Sequence, residues 1–217
     1  MDTALERIIY YIDAFLELYM YAQKHQDPLL QSMVDDILTR QGYTLHYVRC
    51  GVFDAEFAKR YNIESPAVSL GCTIFRTPLG TVLLSDGFLK QNPPKDWIEF
   101  VIAHELAHIC LNHFPITAFI LEITRFLPPE LRELWVKAKH TVSQLLSIRL
   151  VEEELTAQKE LKADEWAVMA LGRKDPAISF LSWVREQGIV ISHLSPVSCL
   201  PAITIEERIK HLRALPL

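Results

Sequence analysis

Glycine is scarce in this chain, with seven in 217 residues. That scarcity argues against a glycine-rich phosphate loop and against an all-β fold with many tight turns, and no GxGxxG or P-loop pattern occurs. Cysteine is sparse too: Cys50, Cys72, Cys110 and Cys199 include no CxxC pair, which is wrong for a thiolate zinc site and thin for a disulfide scaffold. Twenty-two basic residues against 27 acidic ones leave a net charge of −5, so the basic excess of a nucleic-acid or polybasic membrane surface is missing. Long apolar runs are missing as well. Residues 187–205 carry no Asp, Glu, Lys or Arg, but Ser192, His193, Ser195, Pro196, Ser198 and Pro201 interrupt them, and the apolar stretch 116–127 contains Glu122 and Arg125. The start, Met1 to Glu6, lacks the basic and apolar regions of a signal peptide. These absences lead us to expect a cytoplasmic protein with reduced thiols, no integral membrane span and no nucleic-acid partner.

What is present suits one hydrophobic core, since half of the residues are hydrophobic and 23% are charged. Ile8, Ile9, Ile12, Phe15, Leu16 and Tyr19 form a helical stripe within residues 2–24. A second helix is expected over Leu29–Arg40, with Asp27 as cap and Pro28 at its first position, and another over Asp54–Tyr61. Thr44–Val48, Ala67–Phe75 and Thr81–Ser85 read as β runs, the last two joined by a Pro78-Leu79-Gly80 turn into a hairpin. Asn92-Pro93-Pro94 then opens a helix, with Asn92 as its cap, that should end near His113-Phe114-Pro115. Helices are expected over Pro128–Ser147, Arg149–Leu171, Pro176–Gln187 and Ile205–Leu215. The fold class is α+β, mostly helical, with a small antiparallel sheet preceding the helix of residues 97–108. We expect a single domain over 1–217, with 1–75 an N-terminal helical region packed on a core of 76–217.

His104-Glu105-Leu106-Ala107-His108 is HExxH, and it falls on one of these helices. Residues i and i+4 of a helix lie about 40° apart around its axis, so both imidazoles point to one side and can share a metal. Glu105 flanks the pair, where it can serve as general base without being a ligand. A random chain of this length and composition would contain the pattern about 2% of the time. Two histidines, one carboxylate and a position open to water make a catalytic zinc arrangement. His113 is a poor third ligand on an unbroken helix, because it lies about 140° around the axis from His108. The longer HExxHxxGxxH pattern fails at Leu111 and Phe114.

The other source of a third ligand is a carboxylate from a second helix: Glu152, Glu153, Glu154, Glu160, Asp164 or Glu165. Most of such a charge run is ordinarily a solvated face. Glu160 and Asp164 stand out because their i, i+4 spacing allows one to ligate and the other to orient a ligating imidazole. Ala163 between them would let two helices approach closely.

HExxH followed by Glu160-Leu161-Lys162-Ala163-Asp164 resembles the gluzincin zinc metallopeptidases of the HtpX and CAAX-prenyl-protease type. The resemblance extends to His113, which completes HExxHxxxxH, to the strand and glycine-containing turn of residues 80–89, and loosely to Pro201 with Glu207-Arg208-Ile209. It covers residues 79–113 and 157–171 best. It implies a soluble, zincin-like member of the family, with one Zn2+ per chain held by His104, His108 and Glu160, and Asp164 behind a histidine. It also implies a metalloendopeptidase that hydrolyses peptide bonds of a peptide or protein substrate through a Glu105-assisted, zinc-bound water. Thr81, Val82, Leu83, Leu84 and Ser85 would be the sheet edge along which substrate adds. Candidates for stabilising the transition state are His193 and Arg208, with His140 a further guess. Two other readings compete: a non-catalytic zincin-like module that binds a partner, and a regulator-cleaving HExxH peptidase like the phage-repressor-cleaving family. Glu105 speaks against the first, since a purely structural site has no use for it. Ala163-Asp164, and the lack of a DNA-binding partner domain, speak against the second.

Overall fold

A computed structural model describes the chain over residues 16–61, 63, 65–74, 76–113, 155–189 and 203–217. The expected helix over 128–147 lies outside the described residues, as do His140, His193, Pro201 and the acidic residues Glu152, Glu153 and Glu154. The architecture is α+β and mostly helical, built on a three-stranded sheet.

Residues 16–24 are helical (α1), and α2 spans Pro28–Arg40. The expected cap of α2 is present: Asp27 Oδ1 accepts from the amides of Leu29 and Leu30, and Pro28 occupies the first turn. Strand β1 (Tyr47–Phe53) follows, then α3 (Ala55–Tyr61), β2 (Ala67–Ile74) and β3 (Thr77–Ser85). A single turn, α4 (Asp86–Leu89), leads to α5 (Lys95–Cys110), and α6 (Leu155–Leu171), α7 (Asp175–Gln187) and α8 (Ile205–Ala214) complete the described elements.

The strand order is β1-β3-β2, with β2 antiparallel to β3 and β1 parallel to it. The expected hairpin is there, but the sheet is mixed, because β1 reaches β3 only after the chain has passed through α3 and β2. Two strands come from residues before 76, so a boundary at 75/76 would cut the sheet. The hairpin turn also differs from expectation. Ile74 pairs with Thr77, the reversal takes two residues, Arg76 adopts φ 63, and Pro78-Leu79-Gly80 lies inside β3. Pro78 is tolerated because pairing with β1 begins only at Leu79, so β3 has a neighbour on one side at that point.

Side chains alternate across the sheet. Val82 and Leu84 join the main core, formed with α2, α5, α6, α7 and α8, while Leu83, Val68 and Leu70 join a second cluster with Leu18, Phe53 and Phe57 beneath α1 and α3. Helix α5 is buried on nearly every side, from Phe100 through Cys110, which marks it as a central helix rather than an amphipathic one. Its start differs from expectation: the cap position is Pro94 without a side-chain hydrogen bond, and Asn92 adopts φ 50 two residues earlier.

The close approach of β2 to β3, and of Ile109 on α5 to Gly80, depends on two facing glycines. Gly71 and Gly80 are register partners; a Cβ on Gly71 would collide with the Leu79 carbonyl oxygen, and one on Gly80 would come within 3.1 Å of Ile109 Cδ1. Gly71→Ala is therefore expected to lower folding stability by about 1–3 kcal/mol through overpacking, read as a lower denaturant midpoint.

Candidate metal centre

Helices α5 and α6 pack against each other with Ala163 and Ala167 fully buried on α6. That contact brings HExxH and the α6 carboxylates into one buried cluster. His104 Nε2 lies 3.2 Å from His108 Nε2, and the Glu160 carboxylate bridges the pair, with Oε2 3.3 Å from His104 Nε2 and Oε1 3.3 Å from His108 Nε2. Asp164 stands behind His104, its Oδ1 2.9 Å from Nδ1, on the face one turn from Glu160.

Arg208 reaches the same cluster from α8. Thr204 and Glu207 form a capping box that sets the start of α8, and Arg208, Ile209 and Leu212 are its buried side. Arg208 donates through Nε to Asp164 Oδ2 at 2.7 Å and through Nη2 to Oδ1 at 2.6 Å, a two-point clamp on a carboxylate that has no solvent exposure. Its Nη1 is 3.4 Å from Glu160 Oε2. The guanidinium is thus directed at Asp164 and Glu160.

Burial opposes charge on each of these groups, and their neighbours overcome it. Hydrogen bonds to Asp164 and Glu160 push His104 up to about 10 against its desolvation. Glu160 is held well below the usual carboxylate range by the hydrogen bond from His104 and the positive fields of His108, His104 and Arg208, and Asp164 is lowered mainly by Arg208. The two carboxylates therefore favour positive charge on the His104 ring.

Glu105, half-buried on the neighbouring part of α5, accepts a 2.5 Å hydrogen bond from Ser69 Oγ on β2. Ser69 escaped the sequence reading. The only signal was its place in Ala67, Ser69, Gly71 and Thr73, the small alternate residues that face α5. Thr81 to Ser85, expected as an edge, occupy the central strand: β3 is paired to β1 and to β2, so its hydrogen-bonding groups are already used. The far side of β1 is also covered. Gln26 bridges to Gly51, the Asp27 amide donates to the Cys50 carbonyl, and the Gln31 side chain accepts from Cys50 N and donates to Val48 O. Among the described residues, β2 is left as the edge beside α5.

His113 comes to the cluster after all. The helix stops at Cys110, Asn112 adopts φ 54, and the His113 amide turns back to donate to the His108 carbonyl at 2.9 Å. The earlier break cancels the angular argument that pointed this side chain away.

The family model of peptidase family M48 matches residues 72–215. The chain belongs to peptidase family M48. No curated protein matches it. M48 peptidases are zinc metallopeptidases, so this chain is a peptide-bond hydrolase that acts on peptides or proteins, and the partner-binding and repressor-cleaving alternatives give way. None of the described helices is long and apolar enough to cross a membrane.

The donor set of this M48 peptidase suits zinc. One ligand atom each from His104, His108 and Glu160 lies within 4.8 Å of the others. Their 3.2–3.3 Å separations match the ~3.3–3.4 Å between ligands that share a tetrahedral ion at ~2.0–2.1 Å. Asp164 accepts from Nδ1 of His104, so the ring would offer Nε2 to a metal at the same point once that nitrogen gives up the proton it directs at Glu160.

Arg208→Leu leaves Asp164 buried without its cation. It should lower stability by about 3–5 kcal/mol, and Arg208→Lys should recover only part of this because an ammonium cannot form the two-point clamp; denaturant melts of the three proteins measure it.

Proposed function

We propose that this M48 peptidase binds one zinc per chain through His104, His108 and Glu160 and uses Glu105 as its general base. The observation that carries the reading is the convergence of those three ligands beside a Glu105 carboxylate oriented from the sheet. When bound, zinc supplies Lewis acidity to the scissile carbonyl and acidity to a water.

The protein's own groups supply the rest. Glu105 takes a proton from the attacking water and returns it to the leaving amine. Ser69 donates to Glu105 Oε2 and fixes the direction in which the carboxylate acts. Asp164 holds His104 in the tautomer with a free Nε2, and Arg208 holds Asp164. An extended substrate adds to the edge of β2, so the strand that carries Ser69 also sets the register of the peptide over Glu105. His193 stays a proposed donor to the transition state. We read residues 1–217 as one domain, because the sheet takes strands from both sides of residue 76. The buried free thiols of Cys50, Cys72 and Cys110 favour a reducing, cytoplasmic setting.

Metal analysis of the purified protein should find about one zinc per chain, and finding none after expression with zinc present would overturn the site. His104→Ala should lose the metal, and Glu160→Ala should weaken its retention. Glu105→Gln should keep zinc while losing at least ~100-fold in turnover of a casein-like substrate. Ser69→Ala should keep zinc and lower kcat by about 10- to 100-fold; an unchanged kcat would remove Ser69 from the mechanism.

A further inference from the structure

His113 is built into its position from three directions. Asn112, which makes the left-handed turn before it, accepts at Oδ1 from the Thr73 amide at 2.7 Å, and Thr73 Oγ1 donates to the Ile109 carbonyl at 3.2 Å, so β2 secures the end of α5. From α6, Lys159 Nζ donates to the His113 carbonyl at 2.9 Å. The His113 amide itself closes on His108 O. The outcome is a ring contact: His113 Nδ1 lies 2.9 Å from His108 Nδ1, with ring planes at 68° and centroids 4.9 Å apart.

Two ring nitrogens at that distance share one proton, so one ring donates and the other accepts. The rest of the site decides which. His108 Nε2 faces His104 Nε2 and Glu160 Oε1, and a ligand must offer a lone pair there. A neutral imidazole with a lone pair on Nε2 carries its proton on Nδ1. That proton points at His113 Nδ1, as the Nδ1 proton of His104 points at Asp164.

We propose that His113 is a positioning residue for the metal centre: its Nδ1 lone pair accepts from His108 Nδ1–H and fixes the tautomer and ring orientation in which His108 presents Nε2. The inference rests on the reading of His108 as a zinc ligand. The two histidines of HExxH are then oriented by different acceptors, a carboxylate clamped by Arg208 and an imidazole clamped by the end of α5.

The test is zinc affinity, measured by chelator competition on the full chain, for wild type, His113→Leu and His113→Asn. Leu keeps the volume and removes the acceptor, whereas Asn places a carbonyl oxygen near the position of Nδ1. His113→Leu should bind zinc about 10- to 100-fold more weakly, and His113→Asn should recover most of the loss. Affinity of His113→Leu within twofold of wild type, or His113→Asn as weak as His113→Leu, would overturn the proposal. Should His113→Leu not fold, the tautomers can be read by nitrogen-detected NMR on the zinc-loaded wild-type protein. A proton on His113 Nε2 with a bare Nδ1 is expected, and a proton on His113 Nδ1 would overturn the proposal. Failure of the wild-type protein to bind zinc at all would instead sink the zinc site and this inference with it.

Discussion

Asp164 is a carboxylate with no solvent exposure, and its existence as an anion is the constraint on which the rest of the site depends. An isolated buried charge costs several kcal/mol, so it must be neutralised and hydrogen-bonded where it stands. Arg208 supplies the opposite charge from α8 and His104 supplies a donor from α5. One side chain on α6 thereby ties three helices together. It also determines which nitrogen of His104 is left facing the neighbouring histidine and Glu160. Stability and metal-site geometry are the same interaction seen from two sides.

The electrostatic balance around it is deliberately incomplete. Asp164 and Glu160 bring two negative charges against the single guanidinium of Arg208, and Glu105 adds a third anion nearby. Part of the remainder is met by the His104 ring, which Asp164 and Glu160 hold toward its charged form, and the three side chains that converge there could hold a metal ion. Replacing the cluster with apolar residues could be as stable or more so; what the cluster provides is a defined place for a divalent ion.

Precision at that place comes from packing. Gly80 leaves room for Ile109 of α5 against the sheet, Ala163 and Ala167 are fully buried on α6 where it meets α5, and Ser69 stands within hydrogen-bond distance of Glu105. The strand that bonds Glu105 through Ser69 is also the sheet edge beside α5 among the described residues. The turn at Asn112 uses the same strand to hold the end of α5.

Periodicity and short motifs are local properties, and they were enough for the sequence to determine α2 with its Asp27 cap, the β2–β3 hairpin, the HExxH helix and the Glu160/Asp164 pair. Each is set by neighbours within a few residues, through helical spacing, strand alternation or capping chemistry. The tertiary structure alone decided that β3 is central, that β1 joins it in parallel, that Ser69 meets Glu105, and that Arg208 clamps Asp164 across 44 positions of chain. Those pairings depend on how helices and strands pack at a distance, and no spacing along the chain encodes them. His113 lies between the two cases. Its distance from His108 is local, but one left-handed residue, Asn112, turned it from facing away to touching, and whether an asparagine takes that conformation is settled by what its side chain finds to bond.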